Sequence, residues 1–95
     1  MVDYAAVHAV ADEMMLFANG LTSGYVKHWK AHSMCVTIAH LIGAGADMNG
    51  PRLFKYVRNC LEMEGFTEDG CIEVTFWIAK NLFPLVTQVD TAEVA

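Results

Sequence analysis

Clusters of Gly, Asn and Pro divide the chain into four segments of helical length. The breaks fall at Asn19-Gly20, within residues 43–50, at Glu64-Gly65 and at Pro84. Gly and Asn favour helix C-termini and turns, and Pro cannot continue a helix. The sequence contains no internal repeat and no linker. It therefore predicts one all-α domain over residues 1–95, folded as a small bundle of about four helices.

Cap residues and apolar periodicity place the first two helices. The first is predicted from Asp3, a good N-cap residue, to Ala18. The second is predicted from just after Thr22-Ser23 to Gly43. Its apolar residues form rows on nearly opposite sides, Tyr25, Trp29 and Val36 on one and Met34, Ile38, Leu41 and Ile42 on the other. A helix with two apolar sides is usually central, so we expect this one to be buried.

The third and fourth helices have clearer boundaries. The third is capped by Asn49 or Gly50, has Pro51 at its first helical position and ends near Met63. The fourth begins after Thr67, and because Pro disfavours helix in the preceding residue, it should end just before Pro84.

Residues 71–78 leave an alternative open. They alternate in polarity and are rich in β-branched and aromatic types, which is also typical of a strand. An α+β fold with a strand at 71–78 is therefore the second possibility. The tail after Pro84 shows no strong pattern, and we expect it to be loose.

The amount of apolar side chain exceeds what one small core can hide. Apolar residues make up 55% of the chain, whereas about 45–50% is usual. A domain of this size buries only about two thirds of the surface that its unfolded chain exposes. We therefore expect part of the apolar surface to be covered by a second copy, in a homodimer, or by another protein.

Charge is distributed unevenly along the chain, whose formal net charge is −5. Residues 1–20 carry a net −3, residues 21–58 a net +4 and residues 59–95 a net −6. Such segregation suits pairing with a partner of complementary charge, although the segments can also neutralise each other within the fold.

Cysteine usage and hydropathy point to the cytoplasm. Cys35, Cys60 and Cys71 are odd in number and have no framework spacing, so we interpret them as reduced thiols. The N-terminal residues lack the basic region of a signal peptide. The most apolar run, residues 34–46, is shorter than the ~20 residues that a membrane span needs.

One group of residues has the spacing of metal ligands. His28, His32 and Cys35 fall within an arc of about 60° on a helix, and zinc accepts both imidazole and thiolate. A fourth ligand would have to come from elsewhere in the fold, from His8, Cys60 or Cys71. Because no second ligand pair stands beside the three, we expect no metal and no cofactor.

No set of residues predicts catalysis. There is no HExxH motif and no Gly-rich phosphate loop, and no local signature pairs a Cys or Ser nucleophile with a base. We therefore expect a protein that is not an enzyme.

Two helix faces suggest a binding surface. Arg52, Lys55 and Arg58, which we call the basic stripe, lie along the third helix. On the fourth helix Trp77 falls among polar residues, between Glu73 and Lys80, and Trp and Arg are enriched in binding hot spots. The predicted partner-binding residues are Arg52, Lys55, Arg58, Glu73, Trp77 and Lys80.

These observations favour a non-enzymatic helical protein-interaction module, a regulator or inhibitor of the type that phages or mobile elements encode. The alternative is a nucleic-acid-binding regulator that uses residues 52–58. Two observations disfavour that alternative. The carboxylates of Glu68, Asp69 and Glu73 would repel phosphate, and the pI near 5.1 is lower than a nucleic-acid-binding domain normally has. A small metal-binding module or enzyme is the third possibility.

Overall fold

The computed structural model describes residues 2–21 and 24–86, which form four α-helices and one short 3₁₀ helix. The elements are α1 (Tyr4–Asn19), α2 (His28–Gly43), α3 (Gly50–Leu61), the 3₁₀ helix (Glu62–Glu64) and α4 (Glu68–Asn81). The predicted small all-α bundle is therefore confirmed. Residues 71–78 lie inside α4, so the alternative of a strand there is wrong.

Side-chain caps explain where three of the helices begin. The side-chain oxygens of Asp3, Asn49 and Thr67 accept hydrogen bonds from backbone N–H groups two or three residues further on, at 3.0, 3.4 and 3.1 Å. Each bond satisfies one of the N–H groups that have no partner within the first turn of a helix. Asp3 and Thr67 were predicted as caps and are confirmed, and of the two candidates for α3, Asn49 and Gly50, the cap is Asn49.

The helix α2 begins at His28, four residues later than predicted, because tertiary hydrogen bonds hold the preceding residues out of the helix. The Asn19 side-chain amide donates to the Val26 carbonyl at 3.0 Å and accepts from the Val26 N–H at 2.8 Å. The Tyr25 N–H donates to the Glu64 carbonyl at 3.3 Å. Residues 24–27 thus join the end of α1 to the turn before α4.

Only one side of α2 is buried, so the prediction of burial on both sides is wrong. Met34 and Ile38 are buried, whereas on the other side Trp29 is 65% exposed and Val36 is half-buried. Tyr25, which is 63% exposed, precedes the helix. The reason is that α2 packs mainly against α1, while α3 packs against α4.

Contact between α1 and α4 unites the two helix pairs around one core. An ion pair adds a second link, with Lys30 Nζ 3.0 Å from Glu64 Oε2. The largest fully buried side chains are Met14, Met34, Ile38, Leu53, Leu61, Ile78 and Leu82. Among the residues described, no helix is long and apolar enough to cross a membrane.

The helix α4 ends at Asn81, before Pro84, as predicted. Residues 83–86 return to helical backbone, and Val86 is buried. The rest of the tail that was predicted to be loose lies outside the described residues.

Candidate functional site

The basic stripe lies on α3 with its three cations in different surroundings. Arg52 and Lys55 are exposed, and within the described residues neither has an ion-pair partner. Arg58 is half-buried, with its Nε 3.9 Å from Glu62 Oε2 and its guanidinium 5.6 Å from the centre of the Phe54 ring. The stripe therefore presents two unpaired charges to solvent, at the N-terminal end of α3.

An apolar groove lies between α3 and α4, and two of its lining residues, Pro51 and Phe54, directly precede Arg52 and Lys55 in the sequence. It has a volume of about 280 Å³ and is lined by Gly50, Pro51, Phe54, Ile72, Thr75 and Phe76. The Thr75 hydroxyl donates to the Cys71 carbonyl at 2.7 Å, so its single donor already has an acceptor within the helix. This α3–α4 groove can therefore bind an apolar side chain without leaving the Thr75 hydroxyl without a hydrogen-bond acceptor.

The aromatic residue that α4 presents to solvent is Phe76, and not Trp77 as predicted. Phe76 is 70% exposed at the edge of the groove. Trp77 is half-buried and stacks on Phe17 of α1, with ring centres 5.9 Å apart and planes 21° apart. Because α1 packs against this part of α4, the side that looks polar in the sequence of α4 is partly covered.

The other two predicted residues of α4, Glu73 and Lys80, are exposed. They lie on either side of Trp77 in the sequence, and within the described residues neither forms an ion pair. Four of the six predicted residues are thus exposed, while Arg58 and Trp77 are half-buried and Phe76 is the exposed aromatic residue of α4.

A second group of chemically active side chains lies where α1 and α2 pack together. It consists of His8 and Asp12 from α1 and His28 and His32 from α2, which we call the histidine–aspartate cluster. Asp12 Oδ1 lies 2.6 Å from His32 Nε2 and 3.1 Å from His28 Nε2. On its other edge, His32 Nδ1 lies 2.6 Å from His8 Nδ1. The rings of His28 and His32 stack, with centres 4.1 Å apart.

The hydrogen bonds of this cluster fit one arrangement of protons on neutral rings. The Asp12 carboxylate can only accept, so the Nε2 atoms of His28 and His32 donate to it. His32 Nδ1 then accepts from His8 Nδ1. The hydrogen bond from His32 is the main cause that lowers the pKa of the Asp12 carboxyl. Desolvation raises this pKa, whereas the hydrogen bond from His28 and the positive charge that either ring carries when protonated lower it further.

Cys35, the third member of the metal-ligand set considered from the sequence, belongs to the core instead. It is fully buried, and burial raises the pKa of its thiol to about 12. A thiolate is the form that binds metal, so this position disfavours ligation. The spacing on α2 correctly grouped His28 with His32, but the carboxylate that joins them comes from α1.

The structure thus places two distinct features on the surface, the α3–α4 groove with its neighbouring cations and the histidine–aspartate cluster between α1 and α2. The sequence signal for the histidine–aspartate cluster was the one-turn spacing of His8 and Asp12, which matches that of His28 and His32.

Comparison with known proteins identifies no relative: no family model, no curated protein and no solved structure matches this chain.

Proposed function

We propose that the protein is a non-enzymatic helical interaction module, a regulator or inhibitor that binds another protein through the α3–α4 groove. The observation that carries the proposal is Phe76, a large aromatic side chain 70% exposed at the edge of an apolar groove. An exposed aromatic side chain beside an apolar groove is typical of a binding surface, because a bound partner that covers both removes apolar area from water.

The charges beside the groove indicate what kind of partner would fit. Arg52 and Lys55 lie one turn apart on α3 and directly follow Pro51 and Phe54, which line the groove. Both are positively charged, although the chain as a whole has a net negative charge. A partner with an apolar side chain flanked by acidic residues would fill the groove and pair with these cations. In such an interface the apolar contact provides most of the affinity, and the charges mainly increase the association rate.

The proposal is tested by capturing partners from the native cell with the immobilised full-length chain and with two variants. Phe76→Ser removes the proposed anchor. Leu16→Ser is the matched control, because Leu16 is also 70% exposed but lies on α1 and does not line the groove. We expect a protein that the wild type and Leu16→Ser retain and that Phe76→Ser loses.

The captured protein is then purified and its binding is measured directly. Removal of a hot-spot aromatic should weaken binding by about 2 kcal/mol or more. Reversing Arg52 and Lys55 to Glu should mainly slow association. The proposal fails if Phe76→Ser and Leu16→Ser affect binding equally, or if the charge reversal accelerates association.

Self-association is the second part of the proposal, and a different set of residues supports it. Tyr25, Trp29 and Met63 are 63%, 65% and 74% exposed. Lys30 connects the two parts of the chain that carry them, since its Nζ lies 3.3 Å from Met63 Sδ. Burial of this apolar surface against a second copy would account for the excess of apolar residues in the chain.

The mass of the bare protein in solution tests self-association. Light scattering at micromolar concentration should give about twice the chain mass of 10.5 kDa. Trp29→Ser should shift the population towards the monomer, while Phe76→Ser should leave it dimeric. A monomer at every concentration would rule out the homodimer and leave the apolar surface for a partner.

Nucleic acid is the competing ligand for the basic stripe, and two observations make it the weaker choice. Arg58 is already paired with Glu62, and Arg52 and Lys55 are the two cations of the stripe that have no ion-pair partner among residues 2–21 and 24–86. Glu68, Asp69 and Glu73 on α4 are exposed and would repel phosphate. Duplex binding with a steep salt dependence that Arg52→Glu abolishes would favour the nucleic-acid function over the protein partner.

A further inference from the structure

The histidine–aspartate cluster draws its members from both helices of the α1–α2 pair. His8 and Asp12 are spaced by four residues on α1, and His28 and His32 have the same spacing on α2. Residues four apart share one face of a helix, so each helix directs two polar side chains towards the other. Metal sites of helical bundles are commonly built from side chains on facing helices.

Three of these side chains converge closely enough to hold one ion. The ligating atoms of Asp12, His28 and His32 all lie within 4.8 Å of one another. Around tetrahedral zinc, with bonds of about 2.0–2.1 Å, neighbouring ligand atoms stand about 3.4 Å apart. The observed separations from Asp12 Oδ1, 2.6 Å to His32 and 3.1 Å to His28, are within an ångström of that value.

His8 fits the role of an outer partner that orients a ligand. A histidine that binds metal through Nε2 carries its proton on Nδ1, and such a proton usually has a dedicated acceptor. His32 Nδ1 already lies 2.6 Å from His8 Nδ1. A metal on His32 Nε2 would reverse this hydrogen bond, so that His32 donates and His8 accepts, without any displacement of the two rings.

The type of ligand atom selects the class of metal. Two imidazole nitrogens and one carboxylate oxygen suit zinc and similar divalent transition metals, whereas Mg²⁺ and Ca²⁺ prefer oxygen ligands alone. The side chains of His28 and Asp12 are 66% and 55% exposed, while that of His32 is only 15% exposed. The remaining coordination position therefore faces solvent, where water can occupy it.

We propose that Asp12, His28 and His32 bind one divalent transition-metal ion of the zinc class, with His8 as the positioning residue for His32. The ion would link α1 to α2 at the surface, on a different helix pair from the α3–α4 groove. The site differs from the set considered from sequence, in which Cys35 stood in place of Asp12.

Isothermal titration of the chelator-treated full-length protein with Zn²⁺ tests this site. We expect one ion per chain with a dissociation constant in the micromolar range or below. Asp12→Asn preserves the shape of the side chain but removes its charge, and His32→Ala removes the central ligand. Each should weaken binding by about tenfold or more, and His8→Ala, which alters only the outer partner, by about 10–100-fold.

His40→Ala is the matched control. His40 is an exposed histidine of α2 whose Nδ1 lies 3.1 Å from the Tyr4 hydroxyl, outside the cluster. Its replacement should leave the dissociation constant unchanged. Saturating Zn²⁺ should also raise the melting temperature of the wild type and of His40→Ala but not that of Asp12→Asn, since a ligand stabilises the state that it binds.

Three results would overturn the proposal: no saturable uptake of Zn²⁺ by the wild type, uptake that survives both Asp12→Asn and His28→Ala, or uptake that His40→Ala weakens as much as Asp12→Asn does. The last two would mean that surface histidines bind Zn²⁺ without a defined site. Circular dichroism of each variant separates loss of binding from loss of fold. If His32→Ala does not fold, Asp12→Asn and His28→Ala decide the outcome, because both positions are largely exposed.

Discussion

Phe76 and Trp77 are adjacent in α4, yet the structure gives them opposite roles, and replacing each by Ala tests this assignment. Phe76 is 70% exposed, whereas Trp77 is half-buried against Phe17. Phe76→Ala should therefore alter the surface and leave the fold intact. Trp77→Ala should remove part of the contact between α1 and α4.

The expected magnitudes follow from burial. Full burial of a Phe side chain contributes about 1.5–3 kcal/mol, so the third of Phe76 that is covered contributes less than about 1 kcal/mol. Ala is also the better helix former by about 0.5 kcal/mol, which offsets part of that loss. Truncation of a fully buried Trp costs about 3–5 kcal/mol, and partial exposure of Trp77 reduces this to about 2–3 kcal/mol, of which the stack on Phe17 contributes about 0.5–1.5.

Urea denaturation followed by far-UV circular dichroism measures both free energies of unfolding. Far-UV dichroism reports the helices themselves and avoids tryptophan fluorescence, to which Trp29 also contributes. A loss of about 2–3 kcal/mol should lower the melting temperature by about 8–24 °C in a domain of this size. If Phe76→Ala destabilises the protein more than Trp77→Ala, the assignment of Phe76 to the surface is refuted, and with it the anchor of the proposed interface.

Three further predictions concern the remaining structure. Gly24→Ala would place a Cβ in steric overlap with the ring of the buried Phe66, so the free energy of unfolding measured with urea should fall by about 1–3 kcal/mol. An unchanged midpoint would contradict this packing. Asn19→Ala leaves the backbone N–H and carbonyl of buried Val26 without partners and should cost about 2 kcal/mol or more in the same assay. Burial raises the pKa of the Cys35 thiol from 9.0 to about 12; the unfolded chain therefore loses this proton first, and the free energy of unfolding should fall as the pH rises above 9, by up to about 1.4 kcal/mol per pH unit. Cys35→Ala should lack this part of the slope, and parallel profiles for the two proteins between about pH 8 and pH 11 would contradict it.

Local chemistry determines the features of this fold that could be predicted from sequence. Asp3, Asn49 and Thr67 each cap a helix through an N–H group no more than three residues away, so the necessary partners are visible in a short stretch of sequence. The end of α4 at Asn81, three residues before Pro84, was also predicted, although Phe83, which directly precedes the proline, has helical backbone.

The errors arose where the deciding partner is distant in sequence. The late start of α2 depends on the bonds between Asn19 and Val26 and on a bond to the carbonyl of Glu64, a residue of the turn before α4. The exposure of α4 depends on Phe17, which comes from α1. In each case periodicity gave the helix correctly, but the direction of its covered side was set by a neighbour that periodicity within one segment does not contain.

The histidine–aspartate cluster shows how much a spacing pattern can establish about a site. The spacing of four residues fixes His28 beside His32 on one helix and His8 beside Asp12 on another, and both pairs are visible in the sequence. Whether the pairs meet depends on the rotation of α1 against α2, which is set by buried residues on other positions of the two helices. A rotation by one residue, about 100°, would have turned the Asp12 carboxylate away from both imidazoles. The core that α1 and α2 share therefore determines the site, although no core side chain supplies a ligand to it.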